Sequence, residues 1–190
     1  MDTQLTDARD LLGMRQRGVW VVVAFFLAAV WLVAATPSAS VHTIAGTLAA
    51  AAIYTAATIT LVAAEGDPLP TVPTILLTLA GPASAALVLM LSDATALTAT
   101  AVGMSHGAGA AIYAFMIVRG RRVAPWLGFL AIVAIFVVWG THSGAGVAPA
   151  FIQSVVDVAP LLMATLFSYT LRPTASEVFS LREQTTEQVA

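Results

Sequence analysis

Six stretches of this chain contain no lysine, arginine or glutamate, and each is long enough to form a complete membrane span. They cover 18–36, 41–64, 72–92, 94–118, 123–140 and 147–171. At 1.5 Å rise per residue, about 20 apolar residues cross the hydrocarbon core of a bilayer. Charged residues make up 9% of the 190, against about 25% in an ordinary soluble domain, too few to cover a water-facing surface. The pattern predicts an all-α polytopic membrane protein of six transmembrane helices. Within the stretches periodicity assigns no faces, because they are apolar all round. The breaks between them, TPSAS, EGDPLP, LSD, RGRR and THSGAG, carry turn chemistry.

Arginine positions orient the bundle. All eight basic residues are arginines. Arg9, Arg15 and Arg17 precede the first stretch, Arg119, Arg121 and Arg122 lie between the fourth and fifth, and Arg172 and Arg182 follow the sixth. With six spans all eight fall on one side, and the opposite loops 36–40, 92–94 and 141–147 hold none. The positive-inside rule makes that side cytoplasmic, so both termini are inside. Five or seven spans would scatter the arginines over both sides. The second inner loop, Glu65-Gly66-Asp67-Pro68, carries only acids, which weigh little in the rule. The first stretch follows a mixed-charge head, and its length favours a retained helix over a cleaved signal peptide. The expected organisation is a cytoplasmic head (1–17), a six-helix domain (18–171) and a cytoplasmic helical tail (172–190). Trp20 and Trp31, and Trp126 and Trp139, sit near the two ends of their helices as interfacial belts.

Composition also excludes. With no cysteine there are no disulfides, thiolate metal sites or thiol catalysis. The net charge of −2 offers no basic face to nucleic acid. Arginine without lysine, amid abundant alanine, valine, threonine and glycine, has the character of a GC-rich bacterial coding sequence. The expected location is therefore a bacterial plasma membrane, with the lipid bilayer as the first partner.

Two ionisable side chains fall deep inside predicted spans, His106 in the fourth and Asp157 in the sixth. A polar group in hydrocarbon costs several kcal/mol unless it faces protein or water, so both should face the interior. Counting from the outer helix ends, His106 lies at about 18 Å and Asp157 at about 14 Å, near enough for a direct or water-bridged pair. Gln153 is one turn before Asp157, and Tyr113 is seven residues beyond His106 on the same face. Gly103 and Gly107 form a GxxxG step that admits a close neighbouring helix. Gly81-Pro82 in the third stretch and Pro160 in the sixth should each interrupt a helix. Paired interruptions of this kind in two three-helix halves are a feature of inverted-repeat transporters. The pair is read either as structural glue or as a proton or ligand site. His42 and His142 lie at outer helix ends, and no spacing gathers three metal ligands. Ser105 points about 100° away from His106 on a helix, so no Ser/His/Asp triad is argued. No catalytic residue, metal or cofactor is expected.

After Leu171 polarity rises abruptly in RPTASEVFSLREQTTEQVA. Thr174 and Glu177 fit a capping box behind Pro173, and Val178, Leu181, Thr185 and Val189 follow at spacings of three and four, the start of a heptad seam. The segment LRPTASEVFSLREQTTEQVA, behind six short helices and a cytoplasmic head, resembles the membrane-embedded input region of actinobacterial sensor-kinase-like proteins. That resemblance implies a last span leading through a signalling helix to a cytoplasmic output domain. The sequence holds no phospho-acceptor histidine box and no ATP-binding motif, so the resemblance implies the input module alone, truncated or acting through a partner.

The leading functional expectation is thus a non-enzymatic membrane sensor or signalling module, working through 174–190 on a second copy or a cytoplasmic partner. A small oligomeric transporter or channel using Asp157 and His106, and a membrane scaffold or assembly subunit, are the alternatives.

Overall fold

The computed structural model describes residues 17–35, 41–91, 99–144 and 146–189, with side chains at 20–35, 41–91, 103–144, 146–148 and 151–170. The head residues 1–16 and the expected outer loops 36–40 and 92–94 lie outside them. The described residues form six helices: α1 (Arg17–Ala34), α2 (Val41–Ala63), α3 (Thr71–Leu91), α4 (Ala99–Val118), α5 (Ala124–Ser143) and α6 (Ala148–Val189). The protein is all-helical. α2, α3, α5 and the 151–170 part of α6 are each long and apolar enough to cross a membrane. The described parts of α1 and α4 are apolar but shorter.

The outer surface is the reverse of a water-soluble one. Phe25 is 76% exposed and Met90 83%, and Leu32, Val155 and Met163 are similarly bare. Small and hydroxyl-bearing residues share the interior with larger ones such as Leu77, Ile132 and Phe136. The hydroxyls of Thr55, Thr58, Thr74, Thr78, Ser84 and Thr165 each donate to the carbonyl four residues back, which lets apolar helices hold these residues without orphaned donors.

α4 is the hub, in contact with all five other helices. A helix surrounded on every side needs small residues, and Ala108, Gly109 and Ala110 are buried along it. The close approaches, however, are not where GxxxG suggests. A Cβ on Gly103 or Gly107 would meet no atom within 4 Å, so that step seats no close helix among the described residues. A Cβ on Gly81 of α3 or Gly128 of α5 would collide with Tyr113, and one on Gly109 would crowd Ile132. The reason is the Tyr113 ring, which fills the junction of α3, α4 and α5 and requires glycine around it.

Pro82 lies inside α3, which continues through it. Proline has no N–H, so the carbonyl four residues earlier, Thr78, loses its helical donor. The Tyr113 hydroxyl donates to that oxygen at 2.9 Å. The break expected at Gly81-Pro82 is thus healed by a side chain from the neighbouring helix. Pro160 sits on the exposed side of α6, which also continues.

The separately capped tail helix is also overturned. α6 runs from Ala148 to Val189 without interruption, through Thr174 and Glu177. An N-cap needs non-helical backbone, and a helix already running from Ala148 supplies a preceding turn, so Thr174 is an interior position.

In detergent, Gly128→Ala should lower unfolding stability by about 1–3 kcal/mol through overpacking. Gly103→Ala, with open space beside it, should be at least as stable as wild type, because alanine is the better helix former by up to about 1 kcal/mol. Thermal or denaturant unfolding of the two variants checks both.

Candidate functional site

Asp157 lies on a buried stripe of α6 that reads Ser154, Asp157, Leu161, Ala164 and Ser168. The spacings alternate three and four, the signature of a helix seam, and it is with α4 that α6 packs most extensively. This brings Asp157 to His106. The imidazole is fully buried, with Nδ1 3.4 Å from Asp157 Oδ2. The amide of Gln153 donates to the same carboxylate oxygen at a long 3.4 Å. On its other side the imidazole lies against Phe136 of α5, ring centroids 4.5 Å apart and tilted by 37°.

The structure therefore brings together His106, Asp157 and Gln153. Tyr113 does not join them, since its hydroxyl is committed to Thr78. A second tyrosine does a similar job one layer away: Tyr54 of α2, fully buried, donates to the Ser105 carbonyl of α4 at 2.6 Å.

The contact with Asp157 is close without being a well-formed hydrogen bond. Among the described residues neither Nδ1 nor Nε2 of His106 has a hydrogen-bond partner, although Nδ1 lies within ion-pair distance of the carboxylate. Buried polar atoms in native structures are nearly all paired, and an unmade bond costs about 1–3 kcal/mol. Among the described residues of α4, His106 is the buried side chain left without a hydrogen bond. Its surroundings offer one carboxylate, one amide and an aromatic face, chemistry suited to taking up or releasing a proton or to holding a small hydrogen-bonding ligand. His42 and His142 are exposed and lie elsewhere; the His142 ring nitrogen contacts the Val138 carbonyl of its own helix at 2.8 Å. Among the described residues no three His, Asp or Glu side chains come together as metal ligands.

A second polar cluster closes the opposite end of α4, and the sequence reading used its residues only to set orientation. Arg119 is wholly buried. Its Nε donates to Asp67 Oδ1 at 3.1 Å, Nη1 to the Leu61 carbonyl at 2.5 Å, and Nη2 to the Ala64 and Gly66 carbonyls at 2.9 Å each. The guanidinium thus binds the end of α2, whose last carbonyls lack helical partners and carry the negative end of the dipole. Backbone completes the joint: Leu69 N–H donates to the Arg119 carbonyl, and Arg121 Nε donates to the Leu69 carbonyl. Gly120, at φ 86°, makes the turn. Its N–H bonds Ile117 and the next N–H, Arg121, bonds Met116, the paired pattern that ends a helix on a left-handed residue. The available sequence signal was an acidic EGDP loop and a basic RGRR loop predicted for the same side.

Removing one partner of a buried, hydrogen-bonded charge pair leaves the other uncompensated. Arg119→Gln should destabilise the bundle by about 3–5 kcal/mol, and Asp67→Asn by less, since the carbonyls still hold the guanidinium. Unfolding curves for the two single variants and the double variant measure this.

No curated protein and no solved structure matches the chain. A family model described as a domain of unknown function, DUF8320, matches residues 16–171. That span runs from the start of α1 to the point where the side-chain-described part of α6 ends, so the chain belongs to the DUF8320 family.

Proposed function

We propose that this protein is a sensor or signalling module of a bacterial plasma membrane, with six spans and both termini cytoplasmic. One observation carries the reading: α6 holds Asp157 against His106 and continues without a break to Val189. From Asp157 to Val189 a straight helix extends about 48 Å. A shift of α6 against α4 at the buried contact would therefore move the tail as a rod. The input is a proton or a small hydrogen-bonding ligand acting at His106 and Asp157. A switch needs two packings with different affinity for the input. The output is a change in how 174–190 meets a cytoplasmic partner or a second copy. The resemblance to sensor-kinase input regions favours the same direction of signal. The orientation rests on the arginines: the loops 64–70 and 119–123 meet at one end of the bundle, and α6 runs out at that end.

A transporter or channel is the second reading, favoured by a His–Asp pair inside a bundle at similar depth on two adjacent helices. It predicts proton flux into liposomes that Asp157→Asn abolishes.

The absence of native cysteine allows a single label on the tail, through Ser180→Cys in the full chain in liposomes. The signalling reading expects Asp157→Asn to change the mobility or solvent accessibility of that label while the bundle remains folded. A label indifferent to Asp157→Asn and to His106→Leu would contradict it.

A further inference from the structure

Of the three arginines that follow α4, two are engaged in the fold. Arg119 is buried on four acceptors and Arg121 donates to Leu69. Arg122 is different. It is exposed, and its guanidinium carbon stands 4.2 Å from the ring centroid of Tyr169 on α6. Among the described residues no carboxylate or carbonyl accepts from it.

Stacking fixes the guanidinium plane and covers one face. The edge, with its five N–H donors in a rigid fork, stays available, and that fork matches the oxygens of a phosphate. Directly beside it α5 begins, and Val123, Leu127 and Leu130 form an exposed apolar row down its outer side. Their spacing of four and three keeps them on one helix face. Trp126, half-buried in the same turn, is the residue type that settles at headgroup level. A cation above a bare apolar strip is complementary to one kind of molecule, an anionic headgroup attached to acyl chains. A free anion would have no use for the strip, and a zwitterionic lipid would gain less from an unneutralised arginine.

We propose that Arg122 and Tyr169 form a headgroup site for an anionic phospholipid at the arginine-bearing end of the bundle, with an acyl chain lying along Val123, Leu127 and Leu130. The proposal rests on the bundle lying in a membrane and is independent of the signalling role of His106 and Asp157. Its consequence for α6 is direct, because Tyr169 stands where that helix leaves the bundle. An occupied site would tighten the hold of the α4–α5 loop on α6, making the tail sensitive to lipid charge.

The test is native mass spectrometry of the full chain in detergent, titrated with phosphatidylglycerol or with phosphatidylcholine of the same acyl chains. Wild type should retain phosphatidylglycerol preferentially. Arg122→Gln should weaken that binding about fivefold, the equivalent of one arginine near an anionic surface. Tyr169→Leu should weaken it too, and Tyr169→Phe, which keeps the ring face, should leave it intact. The two Tyr169 variants keep the question answerable if Arg122→Gln fails to fold. Equal retention of the two lipids by wild type, equal phosphatidylglycerol binding by wild type and Arg122→Gln, or displacement of the lipid by inorganic phosphate at equal concentration would each overturn the proposal.

Discussion

A helix packed against five others has little water to fall back on, and this governs the described bundle. Each polar atom on α4 or facing it must be paired by protein. The structure meets that requirement by unusual routes. Tyr113 supplies the donor that Pro82 removed from α3. Tyr54 adds a donor to the Ser105 carbonyl. Arg119 gathers the open carbonyls at the end of α2 together with Asp67. In each case a long polar side chain reaches the backbone of another helix, and the glycines at 81 and 128 make the room for Tyr113.

Against that background His106 stands out: with Thr43 and Ser168 it is a buried side chain left without a hydrogen bond among the described residues. It is as buried as Tyr113, yet its two ring nitrogens lack well-formed hydrogen bonds. Asp157 is near enough to interact and too poorly aligned to satisfy it fully. Buried polar pairs are weak evidence for stability in general, because desolvation can exceed the attraction. The sensor reading proposed above takes this contact as one of two packed arrangements. Asp157 shares an unbroken helix with the tail, which runs on to Val189.

Much of the fold was legible in the sequence, because span length and the exclusion of charge are imposed by a bilayer whatever the tertiary packing. The α2, α3 and α5 boundaries follow from where apolar runs meet Pro, Gly and charge. The pairing of His106 with Asp157 was legible from depth alone. What was not legible depended on the third dimension. GxxxG marks a groove but not whether a helix fills it, and among the described residues nothing fills the groove at Gly103 and Gly107, while glycines on α3 and α5 pack against Tyr113. Tyr113 shares a face with His106 by counting, but Pro82 on α3 leaves a carbonyl that captures its hydroxyl. Thr174-x-x-Glu177 has the letters of a capping box and none of its geometry, because α6 arrives already helical. Arg119 read as an orientation signal, and its burial follows from the meeting of the 64–70 and 119–123 loops.

The most direct test is a double-mutant cycle of unfolding stability in detergent on wild type, His106→Leu, Asp157→Asn and the combination. If the pair is held in a strained state for switching, each single variant will be at least as stable as wild type and the coupling will stay below about 0.5 kcal/mol, the additivity limit for independent sites. Single variants each losing more than about 1 kcal/mol, with a stabilising coupling of that size or larger, would show that His106 and Asp157 are structural glue and would contradict the account.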